Sequence, residues 1–293
     1  MRVLVTGANG QVGRELVRRG AELGLEVVAL GRAELDITDR AAVQRAVEDR
    51  APDAVVNAAA YTAVDRAETE SELAFAVNRD GAVHCADACA DAGIPLVHVS
   101  TDYVFDGTKG APYTEEDAPS PLGVYGESKW AGEEAVRGRL DAHVILRTSW
   151  VVSAHGHNFV KTMLRLSGER EELRVVADQK GNPTAAADIA RAALRIVEDV
   201  SGGREAAYGT YHFAGTPATT WHGLAEAVVA EARRHGPVRT QTVEPIPTSA
   251  YPTPARRPAD TRLDCSRIGR TWGIEPPAWR PAVARIVAAL VGE

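Results

Sequence analysis

Val5-Thr6-Gly7-Ala8-Asn9-Gly10-Gln11-Val12-Gly13 places glycines at positions 7, 10 and 13 of the chain. The run follows an apolar stretch, Val3 to Thr6. It leads into Gln11 to Leu23, where Val12, Leu16, Val17 and Leu23 recur at helical spacing. A strand, a glycine turn and a helix in that order predict a dinucleotide-binding turn. Glycine permits the tight bend and lets the backbone approach a pyrophosphate. The helix N-terminus then offers that anion unpaired N–H groups and the positive end of its dipole. A plain strand-to-helix turn is the competing reading. The second strand that follows, Glu26 to Leu30, weighs against it.

Gly31-Arg32 stands beyond that second strand, where an acidic residue would bond the ribose hydroxyls and favour NAD. Arg32 can pair with a 2′-phosphate, so NADPH is expected. Asp36 is close enough in sequence to keep NADH open.

Outward from the turn the chain alternates. Arg40 to Arg50 reads as a helix, Asp53 to Asn57 as a strand, and a long helical region runs to about Ala92. Leu96 to Ser100 is a fourth strand, Tyr125 to Arg139 a helix and His143 to Thr148 a fifth strand. Apolar strands alternating with helices predict an α/β fold with a doubly wound parallel sheet, Rossmann-like, covered on both faces. The rhythm breaks after about Trp150. Asp188 to Asp199 (a helix) and Tyr208 to Phe213 (a strand) are expected to rejoin the sheet. The division is therefore 1–150 and 184–214 as dinucleotide-binding domain, with 151–183 and 215–293 as a smaller substrate-binding region. The proline-rich stretch Glu244 to Pro258 can be neither a central strand nor a helix. It is expected to line the pocket, before a last helix from Pro277 to Val291.

The chemistry centres on Val124-Tyr125-Gly126-Glu127-Ser128-Lys129. Tyr125 and Lys129, four apart on a helix, share one face. The fourth strand ends in Ser100-Thr101-Asp102-Tyr103, which puts the Thr101 hydroxyl on the same sheet edge. A phenol, an ammonium and a hydroxyl can divide the reduction of a carbonyl. Tyr125 gives a proton to the developing alkoxide, Thr101 holds the carbonyl oxygen, and Lys129 lowers the phenol's pKa and bonds the nicotinamide ribose. A Tyr-x-x-x-Lys pair by itself is commonly a surface helix pair. The order of glycine turn, strand-end hydroxyl and pair carries the reading.

Composition excludes some alternatives. The chain has 293 residues, 45% hydrophobic and 25% charged, with net charge -7. An acidic chain argues against a general nucleic-acid binder. No apolar run approaches the roughly 20 residues of a membrane span. The N-terminus is too short and glycine-rich for a signal peptide, so a cytoplasmic protein is expected. Three cysteines, Cys85, Cys89 and Cys265, form no disulfide framework and read as buried small residues.

With these motifs in place, the chain resembles the extended short-chain dehydrogenase/reductase superfamily, and within it the dTDP-4-dehydrorhamnose reductase family. The resemblance runs nearly end to end. It rests on TGANGQVG at Thr6 to Gly13, VNAAAYTAVDRAE at Val56 to Glu68 and STDYVFDG at Ser100 to Gly107. SPLGVYGESKWAGE at Ser120 to Glu133, RTSWV at Arg147 to Val151 and NFVKTMLRL at Asn158 to Leu166 extend it. TTWH at Thr219 to His222 and PTSAYPTPARRPADTRLD at Pro247 to Asp264 complete it.

The resemblance implies reduction of the 4-keto group of a dTDP-linked 6-deoxysugar. Hydride goes to C4 and the proton comes from Tyr125. It places Gly10, Gln11 and Val12 at the pyrophosphate, Asp36 and Ile37 near the adenine, and Ala60, Tyr61 and Thr62 on the cofactor ribose side. Thr101, Asp102 and Trp150 would meet the sugar or nucleotide, and Arg257 the substrate pyrophosphate. It also implies a homodimer and an association with Mg²⁺. The residues themselves offer no metal-ligand cluster, and His155 and His157 are read as part of a pocket loop. Two departures stand out: Val152-Ser153 follow where the family often has tyrosine, and His155-Gly156-His157-Asn158 carries two histidines. Thr101-Asp102 is followed by Tyr103. A nucleotide-sugar dehydratase would carry Asp-Glu there, so reduction fits better than elimination. A ketoreductase for another dTDP-deoxysugar, of antibiotic or streptose type, and a non-catalytic NADP-binding regulatory subunit remain open.

Overall fold

The computed structural model describes residues 1–202 and 208–292. The expected domain segment 184–214 includes residues 203–207, which lie outside the described residues. Five strands, β1 (Arg2–Thr6), β2 (Glu26–Leu30), β3 (Ala54–Asn57), β4 (Leu96–Thr101) and β5 (His143–Thr148), join strand Gly209–His212 in one sheet. The sheet order is Gly209–His212, β5, β4, β3, β1, β2, and every pairing is parallel.

Parallel strands buried on both faces send alternate side chains to opposite sides. On β1, Val3 and Val5 enter one core and Leu4 the other. Val56 and Val55 divide in the same way on β3, as do Leu146 and Ile145 on β5. Helices α1 (Gln11–Glu22) and Ala186–Ser201 cover the first face, supplying Leu16, Ile189 and Leu194. Helices α2 (Arg40–Arg50) and Gly81–Ala92 cover the second, supplying Val43, Val47, Cys85 and Cys89. This is a Rossmann-like extended short-chain dehydrogenase/reductase fold.

The chain leaves β1 toward β2 on one side and returns to β3 on the other. The crevice beyond the C-terminal ends of β1 and β3 is therefore the switch point where such sheets take ligands. The glycine turn follows β1 there, and Ala58 to Thr62 follow β3.

A third core lies outside the sheet. Val160, Met163, Leu173, Leu224, Val228, Trp279 and Val283 form it. They come from helices Phe159–Glu169, Trp221–His235 and Trp279–Val291 and from strand Glu172–Val176. Leu263, Cys265, Ile268 and Trp272 instead pack back into the first core.

Two local expectations change. The long helical region before Ala92 is broken into Val64–Ala67, Ser71–Phe75, a π-helical turn Ala76–Asp80 and Gly81–Ala92. The wide turn carries Asn78, whose side chain holds both backbone groups of Tyr61 and donates to Ser128 Oγ. Glu244 to Ile246, at the front of the proline-rich segment, complete strand Thr242–Ile246, which among the described residues pairs only with Glu172–Val176. Pro245 is tolerated there because a two-stranded ribbon leaves an edge free of ladder demands.

Candidate active site

The glycine turn is built as an anion cradle. Gly7 has φ +65°, and a Cβ there would lie 2.6 Å from the Ala59 backbone. At Gly13 a Cβ would lie 2.2 Å from Gly7 O. No side chain caps α1 at Gly10, and no acidic residue sits in its first turn. The first amides of the helix thus meet the crevice with their dipole unneutralised, which fits a pyrophosphate. Gly13→Ala should weaken NADP(H) binding at least about tenfold, or 1.4 kcal/mol. Calorimetric titration checks it, and unchanged affinity would remove the turn from nucleotide binding.

Two adjoining pockets open on this turn, of about 620 and 230 Å³, sharing Asn9, Gly10, Ala58 and Ala60. The smaller holds Gly7, Arg32, Asp36, Ile37 and Tyr61 of the expected cofactor residues. The larger takes Gln11, Val12 and Thr62 on the cofactor side, then Thr101, Asp102, Tyr125, Lys129 and Trp150. Gly13 lies behind the turn as a packing contact. Arg257 is not on either wall. Its Nη2 bonds Asp65 Oδ2 at 2.7 Å and its guanidinium stands 6.0 Å from the Tyr103 ring centre. The proline-rich segment likewise reaches the back of Tyr103 and Tyr125, through Ala255, Arg256 and Pro258, rather than the large cleft.

In the smaller pocket Arg32 is largely exposed, its Nε 3.8 Å from Asp36 Oδ2. Thr38 bonds Asp36 through its backbone N–H and hydroxyl and, with Arg32, lowers that carboxyl. The Tyr61 hydroxyl donates to Glu70 at 2.6 Å, which turns it out of the pocket chemistry. Gln11 Oε1 accepts from Ser153 Oγ at 3.0 Å and Asn158 Nδ2 at 2.9 Å. Its side chain thereby ties the turn to the loop carrying His155 and His157. His155 Nε2 is 3.8 Å from Glu15, and among the described residues no three metal-binding side chains converge.

Helix Val124–Arg137 brings Tyr125 and Lys129 to the end of β4. The Tyr125 phenol lies near enough to Thr101 for that hydroxyl to act on its titration, and its ring meets Tyr103 edge-on at 5.7 Å. Thr101 Oγ1 donates to Asp102 Oδ1 at 3.1 Å, and Asp102 Oδ2 accepts from Thr261 at 2.5 Å. Lys129 Nζ donates to Val99 O at 2.7 Å.

The phenol departs from expectation. Lys129 was expected to lower it. Instead burial raises the Tyr125 phenol, Thr101 pulls it back, and Asp102 and Tyr103 push it up again. Lys129 is not among those influences, and burial brings its own ammonium down to about 8, against Glu133. Burial also lifts Asp102 to about 7, although Thr261 and Thr101 oppose it. The wall thus holds a firmly protonated phenol beside a carboxyl and an amine that both titrate close to neutrality.

The far end of the cleft is aromatic. Trp150, at φ +43°, stacks on Trp221 with ring centres 3.6 Å apart and planes within 8°. Gly181 lies against it, where a Cβ would come within 2.4 Å of the ring. Trp221 stands in the TTWH stretch, which gives no sign by itself of a stacking partner at Trp150. Thr148 was also missed. It pairs in register with Thr101, lines the cleft, and buries a hydroxyl that has no partner among the described residues. A second strand-end hydroxyl beside the first was the available signal.

The RmlD substrate binding domain family matches residues 1–291. A dTDP-4-dehydrorhamnose reductase of Burkholderia thailandensis is 47% identical over 299 residues, covering 100% of both chains. A crystal structure of a dTDP-4-dehydrorhamnose reductase from Clostridium acetobutylicum aligns with TM-score 0.92 at 35% identity over 99% of both chains. One from Bacillus anthracis, in complex with NADP, aligns with TM-score 0.89 at 36% identity, covering 98% of this chain and 99% of that one.

Proposed function

The chain belongs to the dTDP-4-dehydrorhamnose reductase family, a family of nicotinamide-dependent oxidoreductases, and on that premise we propose that it reduces dTDP-4-dehydro-L-rhamnose to dTDP-L-rhamnose with NADPH. The observation that carries this reading is the continuity of one cleft from the glycine turn to Thr101, Tyr125 and Lys129. The cradle at Gly7 and Gly10, and the uncapped start of α1, suit a dinucleotide pyrophosphate. Arg32 stands where it can meet a 2′-phosphate once it leaves Asp36.

A bound reduced nicotinamide supplies the hydride that reaches sugar C4. The protein's part is to place the carbonyl and complete the proton transfer. Thr101 holds the sugar oxygen against the Tyr125 hydroxyl. The raised phenol stays protonated at neutral pH, which is the form reduction needs, and gives its proton to that oxygen as negative charge develops. Lys129, one turn further along the helix and titrating near 8, is the source of the proton that restores the phenol, and it regains one afterwards. Asp102 and the unpartnered Thr148 hydroxyl offer further bonds to the sugar, and Trp150 backed by Trp221 gives it a flat apolar wall.

The test mixes purified protein, NADPH and dTDP-4-dehydro-L-rhamnose and follows loss of the reduced-nicotinamide absorbance. Turnover to a single product is expected. A folded protein that binds NADPH but consumes none with any dTDP-4-keto-6-deoxyhexose would overturn the reading.

A further inference from the structure

Thr6, Asn57 and His98 form a row across β1, β3 and β4, paired in register and each 1% exposed. No step above uses them. Buried polar groups need partners, so their donors and acceptors can be assigned. The Ala59 N–H can only donate, and it points at Asn57 Oδ1 at 3.2 Å. The Thr6 hydroxyl donates to the same oxygen at 2.6 Å. This orientation turns the Asn57 Nδ2 hydrogens to His98 Nδ1 at 3.1 Å. The reversed carboxamide would set its NH₂ against the Ala59 N–H, donor to donor. His98 Nδ1 is therefore an acceptor, and the one ring proton of a neutral imidazole sits on Nε2.

Nε2 faces Lys129 Nζ at 3.4 Å. An ammonium has no lone pair to accept that proton, so the contact is repulsive in the charged state. The uncharged amine accepts it. The Val99 carbonyl, 2.7 Å from Nζ, receives a hydrogen from either form and does not discriminate.

We propose that His98 is a positioning residue: Asn57 fixes its Nε2–H tautomer, and that N–H, aimed at the Lys129 nitrogen, favours the uncharged amine and lets the lysine release and regain a proton during turnover. The inference rests on the role given to Lys129 above. Surrounding charges agree with it. Burial, followed by Lys129, Arg137 and His143, pushes the imidazole well down, so it stays neutral. Burial brings Lys129 down to about 8, while Glu133, one turn further along its helix, opposes. Asp102 and Tyr125 lie on the cleft side of the amine, and Arg147 faces Glu133 from β5.

Two measurements on the full chain test it. Long-range ¹⁵N–¹H correlation spectra of His98 should show a protonated Nε2 and a bare Nδ1 that do not titrate from about pH 6 to 9. A protonated Nδ1, or an imidazolium, would overturn the assignment. Asn57→Asp keeps acceptors for Thr6 and Ala59 but can only accept from His98. It should move the ring proton to Nδ1 and leave Nε2 to accept from the Lys129 ammonium. The Lys129 titration, read from its side-chain ¹⁵N shift, should rise by about one pH unit or more, with a matching shift in the kcat/KM profile.

A folded Asn57→Asp protein whose lysine titrates as before would sink the proposal. Should that variant not fold, the wild type decides alone: a Lys129 that titrates near its ordinary value of about 10.4 counts against the idea. Because the new carboxylate by itself also raises the lysine, the shift counts only where the ring proton is seen to move to Nδ1 in the same variant, and a ring that keeps Nε2–H there overturns the proposal. The nitrogen spectra need no sugar, so they stand or fall apart from the identity of the substrate.

Discussion

Tyr125→Phe should lower kcat by about 10²–10⁴-fold, the usual worth of a positioned general acid, while the affinity for NADPH stays nearly unchanged. Phenylalanine keeps the ring and its edge-on contact with Tyr103 at 5.7 Å. It removes only the hydroxyl near Thr101. The proposed cofactor cradle comprises the glycine turn and Ala58 to Tyr61, none of which the substitution alters. Stopped-flow measurement of NADPH oxidation, with a separate fluorescence titration of binding, separates the two effects. A residual kcat within about tenfold of wild type would mean that the proton comes from elsewhere, with Asp102, raised to about 7, as the next candidate.

Glu133→Gln should cost about 3–5 kcal/mol of stability, the price of leaving a buried charge without its partner. Glu133 and Arg147 are 0% and 1% exposed. The carboxylate receives Arg147 Nη2 at 2.7 Å, Arg137 Nη2 at 2.7 Å and Ser100 Oγ at 2.6 Å. Glutamine would present an NH₂ to a guanidinium that has only donors. At about 2–4 °C per kcal/mol, the Tm should fall on the order of 10 °C.

The pH dependence follows from the same group. Burial pushes the Glu133 carboxyl up, but Arg147, Arg137 and Ser100 outweigh it, so the folded value is lowered. Its stabilisation is therefore complete above the ordinary carboxylate range and is lost as pH falls through the lowered folded value. Wild type should lose stability in acid more steeply than Glu133→Gln. A loss below about 1 kcal/mol at neutral pH would show that the pair carries little net energy. Because Tyr125, Lys129, Glu133 and Arg137 recur every fourth residue on one helix face, this pair also fixes the register of the proposed catalytic side chains.

What the sequence made legible is what depends on short spacing. The glycine turn, Tyr125 with Lys129, and Thr101 at a strand end are local patterns with one geometric outcome each. The parallel sheet follows from alternation of apolar strands and helices. The rest depends on contacts that no window of sequence contains. Gln11 meets Ser153 and Asn158 far along the chain, and Trp150 finds its stacking partner at Trp221. The direction of the Tyr125 shift needed the enclosure of both phenol and lysine, which spacing does not report. The resemblance put Arg257 at the substrate pyrophosphate, and its pairing with Asp65, distant in sequence, was not to be read from any short window.

The Thr261 bond to Asp102 spans 159 residues. Residues 258 to 260 also close over Gly107, whose φ of +78° brings its backbone within reach of Ala259 and Asp260. A chain emerging from the ribosome thus lays down its glycine turn long before the wall of its cleft is complete. Until Thr261 has been made, Asp102 has no such partner to meet, and the growing polypeptide holds the turn without a finished chamber.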